Sequence, residues 1–218
     1  MLQLVIGNKN YSSWSLRPWL ALRHFGIEFS ELRIPLYTET SAQLLKEYSP
    51  AGKVPVLLDG DLDSEIVVWD SLAILEYVGE RFPELPWLPS EPVARAVARS
   101  VSAEMHSSFG ALRSTMPMNL RSHKPMATIP PDVQRDIDRV TEIWRDCREQ
   151  FGAGGDCLFG EFTIADAMYA PVVSRFRTYG VSLDPICQSY ADAVWQLPAM
   201  QLWIEAAIAE IETISMYE

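Results

Sequence analysis

Three serines fall within four positions of "NKNYSSWSLRPWLALR", at Ser12, Ser13 and Ser15, between a short apolar run and a helix-like one. A hydroxyl at a helix start has two uses. It caps, accepting from a backbone N–H that lacks an intrahelical partner, or it addresses an anion alongside those N–H groups and the helix dipole. Pro18 bears on the division of labour, because a residue without an N–H fits best in the first helical turn. With Ser15 as N-cap no hydrogen bond is lost at Pro18; with Ser13 as N-cap one is broken. The expectation is that Ser15 caps and that Ser12 and Ser13 lie in the preceding loop, one or both with a working hydroxyl. The choice between those two stays open.

Two other strings carry possible chemistry. In "SPAGKVPVLL", Pro55 opens a strand, so it belongs at an edge or a bend. A cis Val54–Pro55 bond would turn the Val54 backbone outward to pair with an extended peptide; the competing reading is an ordinary trans edge proline. In "WDSLAILEYV", Asp70 and Ser71 open a helix, where they serve as caps or where free N–H groups receive a carboxylate guest. His24, His106 and His123 offer no Ser-His-Asp arrangement, which argues against hydrolysis.

The elements that must position these residues differ between two halves. Up to Phe82 the pattern is strand "LQLVI", helix "SLRPWLALRHFG" with Gly26 as its C′ glycine, strand "EFSELRIPL" and helix "SAQLLKEYSP". Strands "VPVLLD" and "IVVWD" follow, joined by the turn-rich "GDLDSE", and helix "SLAILEYVGERF" closes the half with Leu72, Ile74, Leu75 and Val78 on its apolar side. The order βαβαββα is an α/β sandwich of about the smallest workable size. Prolines at 83, 86, 89 and 92 mark a linker. Beyond it "VARAVARSVSAEMHSSFGALRSTM", "DVQRDIDRVTEIWRDCREQF", "IADAMYAPVVSRFRTYG" and "PAMQLWIEAAIAEIETI" all carry apolar residues at helical spacing, so this half is expected to be all-helical. The expected units are residues 1–82, a linker 83–92, and 93–218.

Bulk properties narrow the function. The 218 residues are 48% hydrophobic, enough for real cores, and the formal net charge of −11 argues against general nucleic-acid binding. Three cysteines, Cys147, Cys157 and Cys187, are widely spaced with no CxxC pair, which argues against a disulfide framework and a zinc site; no metal is expected. The N-terminal run is too short for a signal peptide and no stretch approaches a membrane span, so the expectation is a cytoplasmic protein without membrane association.

Taken together, "SSWSLRPWLAL", "SPAGKVPVLL" and "DSLAILEYV", in this order and spacing, resemble the glutathione-binding domain of cytosolic glutathione transferases. The resemblance covers nearly the whole chain. It implies a thioredoxin-like N-terminal domain, a C-terminal helical bundle domain, a homodimer and a role in detoxification. Within that family "YSSWS" resembles the serine-type members, with "SSCS" at this place in zeta-like enzymes; Trp14 stands where those have cysteine, which weighs against zeta-type isomerase and cysteine-type thioltransferase chemistry. "LFGEFTIADAMYAPV" resembles the family's buried helix start, where Thr163 and Asp166 form a structural capping arrangement.

The resemblance implies glutathione as co-substrate, with Ser12 on the catalytic serine and Ser13 its neighbour. It implies that Ser71 holds the γ-glutamyl carboxylate, Asp70 neutralises the ammonium, Val54 ahead of Pro55 pairs with the cysteinyl backbone, and Lys53 meets the glycine carboxylate. A serine donating to sulfur would lower a thiol pKa of about 8.5; two units are worth ~2.7 kcal/mol. The second substrate is expected to be a hydrophobic electrophile walled by Tyr11, Trp14, Met105, His106, Phe109 and Met116. Met105, Phe109 and Met116 recur at helical spacing, for which core packing is the competing reading; Trp19 and Trp69 read as core. Alternatives are a glutathione-dependent cis–trans isomerase acting on maleylacetoacetate- or maleylpyruvate-like diacids, which needs cations such as Arg17, Arg113 or Arg121 in the second pocket, and a non-catalytic binding protein of the same fold.

Overall fold

Alternation along the strands decides what each face meets. In β1 (Leu2–Ile6), Leu2, Leu4 and Ile6 enter the main core while Val5 joins a second cluster with Val56 and Ile34. β3 (Val56–Asp59) repeats this, with Leu57 on the main side and Val56 on the other. The computed structural model describes residues 1–60 and 66–218, so most of the expected "GDLDSE" connection lies outside the described residues.

The first half contains β1, α1 (Ser13–His24), β2 (Phe29–Arg33), α2 (Ser41–Tyr48), β3, β4 (Ile66–Trp69) and α3 (Ser71–Arg81). Strand order is β2-β1-β3-β4; β1 runs parallel to β2, and the β1–β3 and β3–β4 pairs are antiparallel. Leu44, Leu45 and Tyr48 of α2 cover the Val5 face, while α1 and α3 bring Leu16, Leu20, Ile74, Leu75 and Val78 to the other. This is the thioredoxin-like layer expected. Gly26, at φ 69°, closes α1: its N–H reaches Arg23 O at 3.2 Å and the Ile27 N–H reaches Leu22 O at 2.9 Å, a Schellman pair that requires the left-handed residue.

The second half is helical as expected: α4 (Pro92–Ser107), α5 (Gly110–Thr115), α6 (Pro131–Phe151), α7 (Ile164–Tyr179), α8 (Pro185–Gln196) and α9 (Pro198–Ala209), then a single 3₁₀ turn at Ser215–Tyr217. None of the described helices is long and apolar enough to cross a membrane. α7 is buried almost all round and packs against α1, α4 and α8, so it is the axle on which both halves sit. Asp166 fixes its start. One carboxylate oxygen accepts from Leu158 N at 2.9 Å, the other from Thr163 N at 2.8 Å and Thr163 Oγ1 at 3.1 Å. Complete burial pushes this carboxyl up to about 6 although those donors pull it back down.

Asp166→Ala leaves the buried N–H groups of Leu158 and Thr163 without acceptors. At ~1–3 kcal/mol for each stranded donor, the expected loss is about 3 kcal/mol. That lowers the thermal midpoint by roughly 6–12 °C in a chain of this size, with Asp166→Asn losing less.

Candidate active site

Two clefts meet at Trp14. The larger, of about 780 Å³, lies between the first turn of α1, the stretch from Leu36 through α2 to Lys46, the segment Pro117–Met118, and Arg175 of α7. The smaller, of about 530 Å³, continues past Ala51–Pro55 to Trp69, Asp70, Ser71 and His106. Trp14, Lys53, Val54 and Arg113 line both.

The serine cluster is arranged differently from the expectation. Ser12, not Ser15, is the N-cap: its carbonyl accepts from Leu16 N at 3.1 Å and its Oγ from Ser15 N at 3.4 Å. Helix α1 therefore starts at Ser13, and Pro18 lies inside it, depriving the Trp14 carbonyl of its helical donor. Ser15 is drawn inward instead, because its Oγ accepts the Gly7 N–H at 3.1 Å and pins the end of β1 to the first turn. Ser12 donates its hydroxyl to Ser15 Oγ at 2.7 Å. Ser13 Oγ accepts from Arg175 Nη2 at 3.0 Å, which leaves its own hydrogen for the cleft.

The loop ahead of α1 is held from elsewhere. The Lys9 and Asn10 N–H groups donate to the Glu210 carboxylate at 2.7 and 3.2 Å, Asn8 Oδ1 accepts from Leu36 N at 2.8 Å, and Asn10 pairs with Asn119 at 2.9 Å. Tyr11 lines the larger cleft, but its hydroxyl is engaged by Arg121 at 2.8 Å and by Glu218. Arg121 is spent on that contact and on the carbonyls of Glu210 and Glu212, so it is a strut and lines neither cleft.

Two arginines flank Trp14. The Arg17 guanidinium lies 4.1 Å from the ring centroid and that of Arg113 5.5 Å; the His106 ring meets it edge-on at 5.4 Å. Arg17 and Arg175 are both buried. Burial, then the neighbouring Arg175 and Arg113 charges, pushes Arg17 down to about 9; burial and Arg113 push Arg175 down to about 10. Both remain cations at neutral pH, and Arg17 Nη1 has no hydrogen-bond partner among the described residues.

At the far end the Val54–Pro55 bond is cis, placing Val54 ahead of the β3 ladder on the wall of both clefts. Asp70 caps α3 from φ 75°, accepting from Leu72 N at 3.0 Å, and its carboxylate also meets His106 Nε2 at 2.8 and 2.9 Å. Ser71 follows in the first helical position. Its hydroxyl is buried, with no hydrogen-bond partner among the described residues, on the wall of the smaller cleft, where the N–H groups of the α3 terminus begin.

Sequence comparison gives these clefts their context. Residues 11–81 match the glutathione S-transferase N-terminal domain and residues 130–206 the glutathione S-transferase C-terminal domain, together more than half of the chain. The chain belongs to the glutathione S-transferase family. It is 29% identical over 178 residues to a probable maleylacetoacetate isomerase of Caenorhabditis elegans, spanning 79% of this chain and 78% of the relative. It is 27% identical over 202 residues to a zeta-class glutathione S-transferase of Euphorbia esula, spanning 87% of this chain and 84% of the relative. In fold it is similar to a bacterial zeta-class maleyl pyruvate isomerase (TM-score 0.72, 23% identity, 97% of this chain and 100% of that one). A glutathione transferase homologue from Burkholderia, solved with bound glutathione, is also similar (TM-score 0.71, 21% identity, 96% and 99%).

The two clefts gather Ser12, Ser13, Tyr11, Trp14, Lys53, Val54, Pro55, Asp70, Ser71 and His106. Three expected wall residues are elsewhere. Met105, Phe109 and Met116, at most 5% exposed, sit in the main core and line neither cleft. Their helical spacing follows the face turned into the bundle; Met116 offers only its carbonyl, to Arg175 at 2.6 Å, and Pro117 and Met118 form the wall instead. Trp19 is core, but Trp69 is 46% exposed on the smaller cleft, because it ends an edge strand. Arg175, Tyr37, Lys46 and Tyr217 were not anticipated. For Arg175 a signal exists, a cation inside a helix otherwise read as apolar; for the others there is none.

The backbone at Asp70 yields a separable expectation. Asp70→Ala loses the cap and keeps a β-carbon at positive φ, so it is expected to cost about 1–2 kcal/mol in urea unfolding. Asp70→Gly loses the same carboxylate but relieves the backbone, and is expected to cost only a few tenths of that scale.

Proposed function

We propose that this chain binds glutathione across the smaller cleft and conjugates its thiolate to electrophiles held in the larger one. The observation that carries the reading is Ser13: a hydroxyl at the first turn of α1, facing the cleft, whose oxygen already accepts from the buried Arg175 cation. An oxygen polarised in that way is a stronger donor through its remaining hydrogen. The same first turn presents the positive end of the α1 dipole, and both effects favour a thiolate over a thiol. Serine acts here as a donor to sulfur and forms no covalent bond.

The rest of the tripeptide fits the chemistry of the wall. The unpartnered Ser71 hydroxyl and the α3 terminus suit the γ-glutamyl carboxylate, and Asp70 suits the adjacent ammonium. Val54 ahead of the cis-proline suits the cysteinyl backbone, and Lys53 the glycine carboxylate. Ser12, which gives its hydrogen to Ser15, is read as a cap that holds the turn, and Ser13 as the donor to sulfur.

Ultraviolet titration of the bound thiolate tests this. Ser13→Ala is expected to raise the apparent thiol pKa by about one unit or more, that is ~1.4 kcal/mol of lost thiolate stabilisation. Ser12→Ala is expected to move it less while lowering protein stability by about 1 kcal/mol. An unchanged titration in Ser13→Ala overturns the assignment.

A second reading is favoured by one feature. Arg113, Arg175 and Lys46 line the larger cleft, and among the described residues no carboxylate does. Such a wall attracts an anionic acceptor, as glutathione-dependent cis–trans isomerisation of a maleyl diacid requires, and the relatives include named maleylacetoacetate isomerases. Parallel assays with a maleyl diacid and a neutral electrophile separate the two. Turnover of the diacid to its trans isomer, at a rate that falls at least about ten-fold in Arg113→Leu, supports isomerisation; conjugation of the neutral compound alone supports transfer.

A further inference from the structure

The segment after α9 crosses back over the loop between β1 and α1. It is held there by Glu210 on the Lys9 and Asn10 N–H groups, by Arg33 on Glu212 at 2.7 Å, and by Arg121 on the backbone carbonyls of Glu210 and Glu212. Its 3₁₀ turn brings Tyr217 to the wall of the larger cleft. The Tyr217 ring packs 5.8 Å from Tyr11 and 5.9 Å from Tyr37, its carbonyl accepts from Asn119 Nδ2 at 3.1 Å, and its hydroxyl lies 3.0 Å from that of Tyr37.

Most other hydroxyls on this wall are committed. Tyr11 is held by Arg121 and Glu218, Ser12 gives its hydrogen to Ser15, Ser41 donates to the Pro35 carbonyl, and Thr38 lies 2.7 Å from Ser41. The Arg175 guanidinium already serves Ser13 and the Met116 carbonyl. Tyr217 differs. When Tyr37 donates to its oxygen, the Tyr217 hydrogen is left for the cleft and is strengthened as a donor by the bond behind it. Burial pushes this phenol up to about 12, so it stays protonated throughout the neutral range.

We propose that Tyr217 is a catalytic residue of thiolate addition, hydrogen-bonding the acceptor oxygen on which charge develops when sulfur attacks an α,β-unsaturated carbonyl compound. The inference rests on the reading above that the larger cleft holds the electrophile, and it names the acceptor class. In the step, the S–C bond forms at the β-carbon, the double-bond pair moves between the α-carbon and the carbonyl carbon, and the carbonyl π pair moves onto oxygen as an enolate. For conjugation, water then protonates the α-carbon; for isomerisation, the former double bond rotates and the returning pair expels the thiolate. Tyr217 donates a hydrogen bond throughout and surrenders no proton, and the charge it meets exists only after attack, which is where such a donor accelerates a reaction.

The test is Tyr217→Phe in the full chain, which keeps the ring contacts. Two kcat/KM values are compared, one for an unsaturated ketone and one for an alkyl halide, whose displacement puts no charge on an acceptor oxygen. The expected result is a ketone-to-halide ratio lowered about ten-fold or more, with the bound thiol titrating as in the wild type. An unchanged ratio, whether both rates hold or both fall together, overturns the proposal. Failure of the underlying reading gives a different result: the wild-type protein then shows no thiolate on adding glutathione.

Discussion

The Arg175 guanidinium is the point on which both halves of the molecule converge. It issues from α7, the most buried helix, and spends its two terminal nitrogens on Ser13 in the first turn of α1 and on the Met116 carbonyl behind α5. A guanidinium is suited to this because its donors leave in a fixed fork, so one cation sets the relative position of two segments far apart in sequence. Burial without a carboxylate partner is costly, and the depressed pKa of Arg175 records it. What offsets that cost locally is hydrogen bonding to neutral oxygens, which leaves the positive field available to the cleft.

That field explains how an acidic chain keeps a cationic site. The net charge of −11 is spread over the surface, whereas Arg17 and Arg113 flank one indole and Arg175 lies close enough to both to be felt electrostatically. Screening over about 8–10 Å weakens the distant carboxylates, while charges in a low-dielectric wall act on the cleft with little attenuation. The guanidiniums repel one another, and Arg17 Nη1 is buried with no acceptor among the described residues, so an anion in the cleft relieves a repulsion already present. Trp14 is the surface on which this repulsion is held. Its ring faces the Arg17 cation closely, a contact that a cysteine at the same position would not supply.

What was legible in the sequence was short-range. The Gly26 terminus of α1, the capping box at Thr163 and Asp166, the alternation that sorts Leu4 from Val5, and the Asp70–Ser71 helix start are each decided by residues a few positions apart. Ser15 shows where such reasoning fails. Its local role as a cap, argued from Pro18, lost to a contact with Gly7 that holds β1 against α1, and the helix accepted an interior proline in exchange. Met105, Phe109 and Met116 failed for a related reason: helical spacing identifies a shared face but not whether that face looks into the bundle or into a cleft. Arg175 and Tyr217 belong to the site through contacts spanning 162 and 180 residues, and no pattern within a window could reveal them.

The site is therefore a property of how three remote segments close on one another. The loop before α1 has its Lys9 and Asn10 N–H groups satisfied by Glu210, the Asn10 side chain by Asn119 and the Tyr11 hydroxyl by Arg121, all from the helical half. Most of these contacts are polar and directional, while the segment that supplies several of them carries exposed apolar residues at Ile211 and Met216. Hydrogen bonds of this kind contribute only about 1 kcal/mol each to stability, but they fix orientation, which apolar burial does not. The thioredoxin-like layer thus supplies a rigid helix start and a cis-proline edge, and the second half decides which hydroxyl is free to work there. On the proposed function, reactivity toward sulfur and selectivity toward the acceptor are written in different parts of the chain, joined at Ser13, Arg175 and Tyr217.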